Sequence, residues 1–450
     1  MAAPEVSEAI RIPELKKRVI FTLSMLVVYR LGVFVPTPGI DAEALKRQFE
    51  TASGTLFGMI NMFSGGALEN FSVFALGIMP YISVSIIMQL LTTAVKRLEE
   101  LQKEGEQGRR VITRYTRFGT IGLALFQGYW ISVGLESQGV VSDPGMQFRL
   151  VTALTLTSGT AFIMWLGEQI SERGIGNGMS IIIFAGIVAR MPATLFTTFD
   201  LMSTGEITPL SVLLILAIGI ATIAFIVFVE RCQRRIPIQY PRRAVGRMMT
   251  QASTQHLPLK LNTAGVVPAI FASAFLVFPA TIAQFSNVQA FQDFMRYLNP
   301  GEVVYELLYS ALILFFCFFY TAIVFDPNKI SEDLKKNGGF IPTVRPGKDT
   351  ASFLATVLSR ITLWGGLYMV IVCIVPTMSY QALGAGVFAA FFGGTAVLIV
   401  VGVTLDTASQ IQSYIVNKNY ESFLSKNRDG GGKVRGASRG FQVKGQLIRR

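Results

Sequence analysis

Apolar windows of about 20 residues, the length a helix needs to cross the hydrocarbon core of a bilayer, recur ten times along the chain. They fall at about 19 to 35, 73 to 93, 117 to 135, 149 to 168, 179 to 196, 209 to 229, 264 to 284, 303 to 325, 353 to 375 and 384 to 405. Polar stretches separate them, two of them long and basic, at 230–263 and 326–352. The pattern predicts an all-α polytopic membrane protein with ten transmembrane helices. The second window breaks the monotony. The stretch FSGGALENFSVFALGIMPYISVSIIMQLLTT, from Phe63 to Thr93, begins small and polar and then becomes an apolar helix interrupted by Gly77 and Pro80. A soft lead and an early proline serve plain anchoring poorly and suit a part that moves.

An even number of spans raises the question of duplication. Span 2 contains Gly77-Ile78-Met79-Pro80-Tyr81-Ile82 and span 7 contains Gly265-Val266-Val267-Pro268-Ala269-Ile270, the same G-x-x-P-x-I pattern. Span 7 comes five spans after span 2, so the copies run in opposite directions, as in an inverted repeat with its functional path between the halves. The expected organisation is an amphipathic segment 1–18, an N-terminal half 19–196, a C-terminal half 197–424 and a basic, glycine-rich tail 425–450 expected to be disordered.

Composition agrees with a membrane protein: 51% hydrophobic residues, 15% charged, mean hydropathy +0.49. The net charge of +12 could point to nucleic acid, but the cations lie in the polar connections. With a cytoplasmic N-terminus, 33 of the 40 Lys and Arg fall on the inner side. The outer side holds Lys46, Arg47, Arg149, Arg190 and Arg296, and Arg30 and Arg360 sit in spans. Both termini are therefore expected in the cytoplasm, with anionic lipid as a secondary partner. The N-terminus lacks a small-residue cleavage site and is expected to be retained. Arg30 is within reach of the interface by snorkelling, and either an anchoring or a pairing role is open to it.

The chemistry of catalysis has few candidates. Cys232, Cys317 and Cys373 are scattered singly and His256 is the sole histidine, so neither a disulfide scaffold nor a zinc site is expected. Gly174-Ile175-Gly176-Asn177-Gly178 follows no strand and reads as a turn between spans, not a phosphate loop; Gly430-Gly431-Gly432-Lys433 lacks the rest of a Walker loop. G-x-S-x-G and H-E-x-x-H are both missing. No cofactor, metal or enzymatic activity is expected. A small-solute carrier is the competing reading, favoured by the repeat. It is disfavoured because Glu168, Glu230, Asp326 and Asp406 all sit near span ends, leaving no carboxylate midway through the membrane.

Several stretches together resemble the SecY family, whose members form the central subunit of the Sec protein-translocation channel. They are MFSGGAL (62–68), GIMPYISVSIIMQLLT, WLGEQISERGIGNGMSIIIFAGIVA, FVERCQRRIPIQY, HLPLKLNTAGVVPAIFAS, FFCFFYTAIVFDP and GGFIPTVRPG. The resemblance implies a clamshell of two inverted five-helix halves around an hourglass pore in a bacterial inner membrane. It would pass unfolded polypeptide and open sideways to lipid between spans 2, 3, 7 and 8. A short helix around 63–71, carrying Phe63, Ser64, Gly65, Gly66, Ala67 and Leu68, would be the plug. The waist would be Ile78, Ile82, Met179, Ile183, Ile270 and Ile399. Energy would come from a SecA-type ATPase or the ribosome, with SecE and SecG as small membrane subunits and signal peptides as substrates.

The residues themselves bear on each of these roles. Ile78 with Ile82 and Met179 with Ile183 are i, i+4 pairs, each projecting from one helix face. A ring of aliphatic side chains excludes ions by dewetting and offers a passing chain no fixed hydrogen bond; Met179, where the family favours isoleucine, adds pliability. Ser83, Ser85 and Gln89 on span 2, opposite Asn262 at the start of span 7, are expected to latch the lateral gate weakly, at about 0.6 kcal/mol per interhelical hydrogen bond. The 230–263 loop alternates Arg pairs with β-compatible residues and predicts a protruding hairpin. Its Arg242, Arg243 and Arg247, with Arg345 in the second loop, match the family's contact loops for motor carboxylates or ribosomal RNA phosphates.

Overall fold

The computed structural model describes residues 12–40, 61, 64–137, 139–141, 143–205, 207–240, 244–245, 248–249, 253–284, 302–383 and 393–429. The helices are α1 (Pro13–Val33), α2 (Met79–Ala94), α3 (Lys96–Lys103), α4 (Glu106–Ser137), α5 (Met146–Arg173), α6 (Gly178–Ser203) and α7 (Pro209–Arg231), then α8 (Val267–Gln284), α9 (Val303–Val324), α10 (Pro327–Lys336), α11 (Lys348–Ala382) and α12 (Gly394–Asp429). Between α7 and α8 lie β1 (Gln233–Tyr240), β2 (Ala244–Val245), β3 (Met248–Met249) and β4 (Ser253–Lys260).

Each of the ten apolar windows holds a helix. Among the described residues, seven helices are long and apolar enough to cross a membrane, and eight if α2 and α3, bent by 98° across the break at Val95, count as one span. The other two are α1, whose apolar run is interrupted by Lys16, Lys17, Arg18 and Arg30, and the shorter apolar stretch of α8. Helix starts follow local chemistry. Pro13, Pro209 and Pro327 sit in first turns, where a missing N–H costs nothing. The Thr208, Asn177 and Asp326 side chains accept from first-turn amides.

Two expectations change here. The 64–78 stretch is a succession of turns, not a short helix followed by the start of a span. Gly65, Gly66 and Gly77 all have φ between +56° and +89°, a region that breaks a right-handed helix. At the other end, α12 carries the last span on to Asp429, so 425–429 are helical; residues 430–450 lie outside the described residues.

The helices pack as two sets. α4 lies along α5, and α2 and α6 flank them; α9 lies between α8 and α11, and α7 packs on α11 and α12. The sets meet where α2 and α4 touch α8, and again where α6 touches α7 and α12. In α5, 56% of the apolar window is buried, against 22% in α7; α5 is central and α7 peripheral, its Leu213, Ile220 and Phe228 turned outward. A single large core runs through both sets, from Tyr29 on α1 to Val403 on α12.

A second core lies outside this bundle. β1 and β4 pair antiparallel from Gln233↔Lys260 to Tyr240↔Ser253, the expected hairpin. Ile236, Ile238 and Leu259 from the hairpin pack with Ile341, Leu354, Val357 and Ile361 from the following polar connection and the first turns of α11. The two long polar connections are further joined backbone to backbone, Gln239 and Phe340 each donating an amide to the other's carbonyl at 2.9 and 3.0 Å.

Candidate functional site

Between the two helix sets lies a cavity of about 400 Å³. Six helices each give it one stripe: Tyr81, Ile82, Ser85 and Gln89 from α2, Thr113 and Arg117 from α4, Glu168, Ser171 and Glu172 from α5, Met179, Ser180 and Ile183 from α6, Val267, Ile270 and Phe271 from α8, and Tyr320 from α9. Ile82, Ser85 and Gln89, Thr113 and Arg117, Glu168 and Ser171, Met179 and Ile183, and Val267 and Ile270 are spaced by three or four residues, the repeat of one helix face. Arg117 and Glu168, paired at 2.7 Å, make one part of the wall polar. Aliphatic side chains from α2, α6 and α8 make another.

Four of the six expected waist residues, Ile82, Met179, Ile183 and Ile270, line this cavity. Ile78 and Ile399 do not, but both are buried in the core that the others share, and Met179 packs against it. All five isoleucines are at most 6% exposed, so none faces the surroundings of the bundle. Local structure explains how they converge. Asn177 accepts from the Met179 and Ser180 amides at 3.1 and 3.4 Å, fixing the start of α6. A Cβ on Gly178 would meet the Gly167 carbonyl oxygen at 1.9 Å, so α5 and α6 touch backbone to backbone at this point.

The repeated G-x-x-P-x-I motif adopts the same local form twice. Gly77 and Gly265 have φ of +56° and +64°. Two residues on, α2 and α8 begin, each with its proline as second residue. The Ile82 amide then donates to the Ile78 carbonyl at 3.1 Å, and the Ile270 amide to the Val266 carbonyl at 3.3 Å. Each copy thus delivers an isoleucine, Ile82 or Ile270, to the cavity wall on the second turn.

The expected polar latch is not formed. Ser85 and Gln89 share the face of Ile82 and line the cavity, while Ser83 is half-buried on another face. Asn262 is buried and donates its Nδ2 to Glu230 Oε1 at 2.7 Å and to the Gly265 carbonyl at 3.0 Å. Its partners are the end of α7 and its own turn, because a carboxylate within reach outcompetes a neutral hydroxyl. Among the described residues the contact of α2 with α8 is held by packing, not by a hydrogen bond.

The expected plug residues Ser64, Gly65, Gly66, Ala67 and Leu68 are all buried; Phe63 lies outside the described residues. Tyr29 Oη donates to the Ser64 carbonyl at 3.0 Å and Arg30 Nη1 to the Gly65 carbonyl at 2.9 Å. Arg30 therefore has a pairing role. Arg190, counted above as an outer-side charge, lies within α6 and bonds Glu69. The strand-like contacts Thr37 N to Phe71 O and Val73 N to Val35 O, 3.0 Å each, complete the seat.

Of the four expected docking arginines, Arg242, Arg243 and Arg247 lie outside the described residues. Arg345 is exposed in the 341–347 turn, whose carbonyls at Arg345 and Gly347 accept from Thr350 Oγ1 and Ser331 Oγ at 2.8 and 2.6 Å. Gly174 to Asn177 form the expected turn between α5 and α6.

The SecY family model matches residues 72–408. The protein translocase subunit SecY of Escherichia coli (strain K12) is 48% identical over 421 residues, covering 92% of this chain and 94% of that protein. Among solved structures, one described as "The structure of a protein conducting channel" aligns with a TM-score of 0.61 at 17% identity, over 88% of this chain and 92% of that one. Sec61 in the canine ribosome-channel complex from the endoplasmic reticulum aligns with a TM-score of 0.58 at 16% identity, over 88% and 92%. At these identities the structural likeness bears on the fold alone.

Proposed function

The chain belongs to the SecY family, and on that premise we propose that it is the protein-conducting subunit of a translocon, passing unfolded polypeptide through the membrane between its two halves. Hydrophobic segments leave sideways into lipid where α2 and α4 meet α8. The observation that carries the reading is the aliphatic group Ile82, Met179, Ile183 and Ile270 on a cavity that is otherwise largely polar. Such a constriction holds neither water nor a hydrated ion, yet yields to an extended chain. Ile78 and Ile399 back it, and Ser64 to Leu68 close it as a plug.

The finer assignments follow the same premise. The membrane is the bacterial inner membrane with both termini cytoplasmic, which puts the hairpin, α10 and Arg345 on the cytoplasmic side. Arg242, Arg243, Arg247 and Arg345 contact a SecA motor or the ribosome; SecE and SecG accompany the chain, and signal peptides part the packed seam between α2 and α8, with Ser85 and Gln89 on its cavity side and Asn262 at the base of α8. The test is Ile82→Gly with Ile183→Gly in a planar bilayer. The resting channel should conduct ions; conductance equal to wild type would remove the waist from these residues.

A further inference from the structure

One face of α6 carries more than the waist. Met179, Ile183, Ile187 and Arg190 follow one another at i, i+4, i+8 and i+11, on the same side of the helix. Arg190 is seven residues beyond Ile183, roughly 10 Å along the axis. There its Nη2 donates to Glu69 Oε2 at 2.5 Å, the two side chains being 20% and 33% exposed. Asn61 braces the same carboxylate, donating Nδ2 to Oε2 at 3.1 Å and accepting the Glu69 amide on Oδ1 at 3.1 Å. The fit to α6 is close: a Cβ on Gly65 would meet the Gly186 Cα at 2.8 Å, and one on Gly66 would meet Arg190 Nη1 at 2.9 Å.

The contacts from α1 differ in kind. Tyr29 and Arg30 hold backbone carbonyls, which any sequence supplies. Among the described residues, Glu69–Arg190 is the contact that joins this segment to a helix through two opposite side-chain charges. We infer that Glu69 and Arg190 form an electrostatic catch, positioning residues that set the threshold at which segment 64–71 leaves its seat. The waist decides what can pass; the catch decides how readily the seal lets go. This rests on the reading of 64–71 as the plug.

The test uses the purified channel complex in planar bilayers without a motor. Glu69→Gln keeps an oxygen for Asn61 and keeps the volume, so it removes the charge pair alone, and a purely space-filling role would leave it silent. Resting openings should rise on the order of fivefold, the upper end for a pair still touched by water. Arg190→Gln should raise them at least as much, and the double variant should not exceed Arg190→Gln, since the Glu69 charge then has no catch left to lose. Glu69→Arg with Arg190→Glu should restore quiet. A Glu69→Gln channel as quiet as wild type, or additive single effects, would overturn the catch. Deleting 64–71 separates the two readings: a leaky deletion beside a silent Glu69→Gln removes the catch and keeps the plug, while a silent deletion removes both.

Discussion

At Gly178 the distance between two backbones decides what the neighbouring side chains can do. With the Gly167 carbonyl 1.9 Å from where a Cβ would stand, α6 can start against α5 only if residue 178 has no side chain. Met179 and Ile183 reach the cavity from that start. Gly178→Val should therefore push α6 outward, at about 1–3 kcal/mol for overpacking, seen as a lower melting temperature in detergent together with a raised resting conductance. At this scale the sequence was only partly readable. The i, i+4 spacing of Ile78 with Ile82 and Met179 with Ile183 marked shared faces, and the family resemblance singled those pairs out from ordinary packing. Arg30 and Arg190 were opaque, because their partners Gly65 and Glu69 lie 35 and 121 residues away and a lone charge gives no sign of either.

At the scale of elements, hydrophobic length was a good guide and glycine density a neglected one. The apolar windows located the helices because backbone satisfaction in lipid leaves little alternative. The 64–78 stretch has the apolar content of a helix but forms turns, because three of its residues, Gly65, Gly66 and Gly77, take the left-handed conformation that a right-handed helix cannot hold. The hairpin was legible from its alternation, and its outcome is visible in Ile236 and Ile238 turned inward between exposed neighbours. Its joining to the second polar connection was not, since a pair of hydrogen bonds between Gln239 and Phe340 leaves no pattern in either segment. The two kinds of residue on this platform predict different phenotypes. Arg345→Glu should abolish motor-driven export with the fold intact, because its side chain is exposed. Ile238→Asp places an unpaired charge in the small core and should unfold the hairpin as well. Limited proteolysis checks this: cleavage within 233–260 should appear in the second variant and not in the first.

For the whole molecule, the relevant geometry is two helix sets touching along two lines with a cavity between them. A chain stalled in transit should crosslink to photoreactive groups at positions 82 and 270, one from each set, and not to one at Leu213, which faces outward. Equal labelling at 213 would place the path elsewhere. The inverted repeat was legible as two short motifs, and the fold gives them a common form: a left-handed glycine, a helix start and an inward isoleucine. What no local pattern could give was which stripes of which helices face one another.

The platform formed by the hairpin, α10 and the start of α11 has a mechanical consequence. All the residues of its core lie between 233 and 361, and the Gln239–Phe340 pair rivets its two parts together. Whatever grips one part therefore hauls on both, and the load runs into α7, α8, α9 and α11, all on one side of the clamshell. A docked machine would hold that jaw like a handle while the opposite jaw, with α2 and α6, stays free to swing.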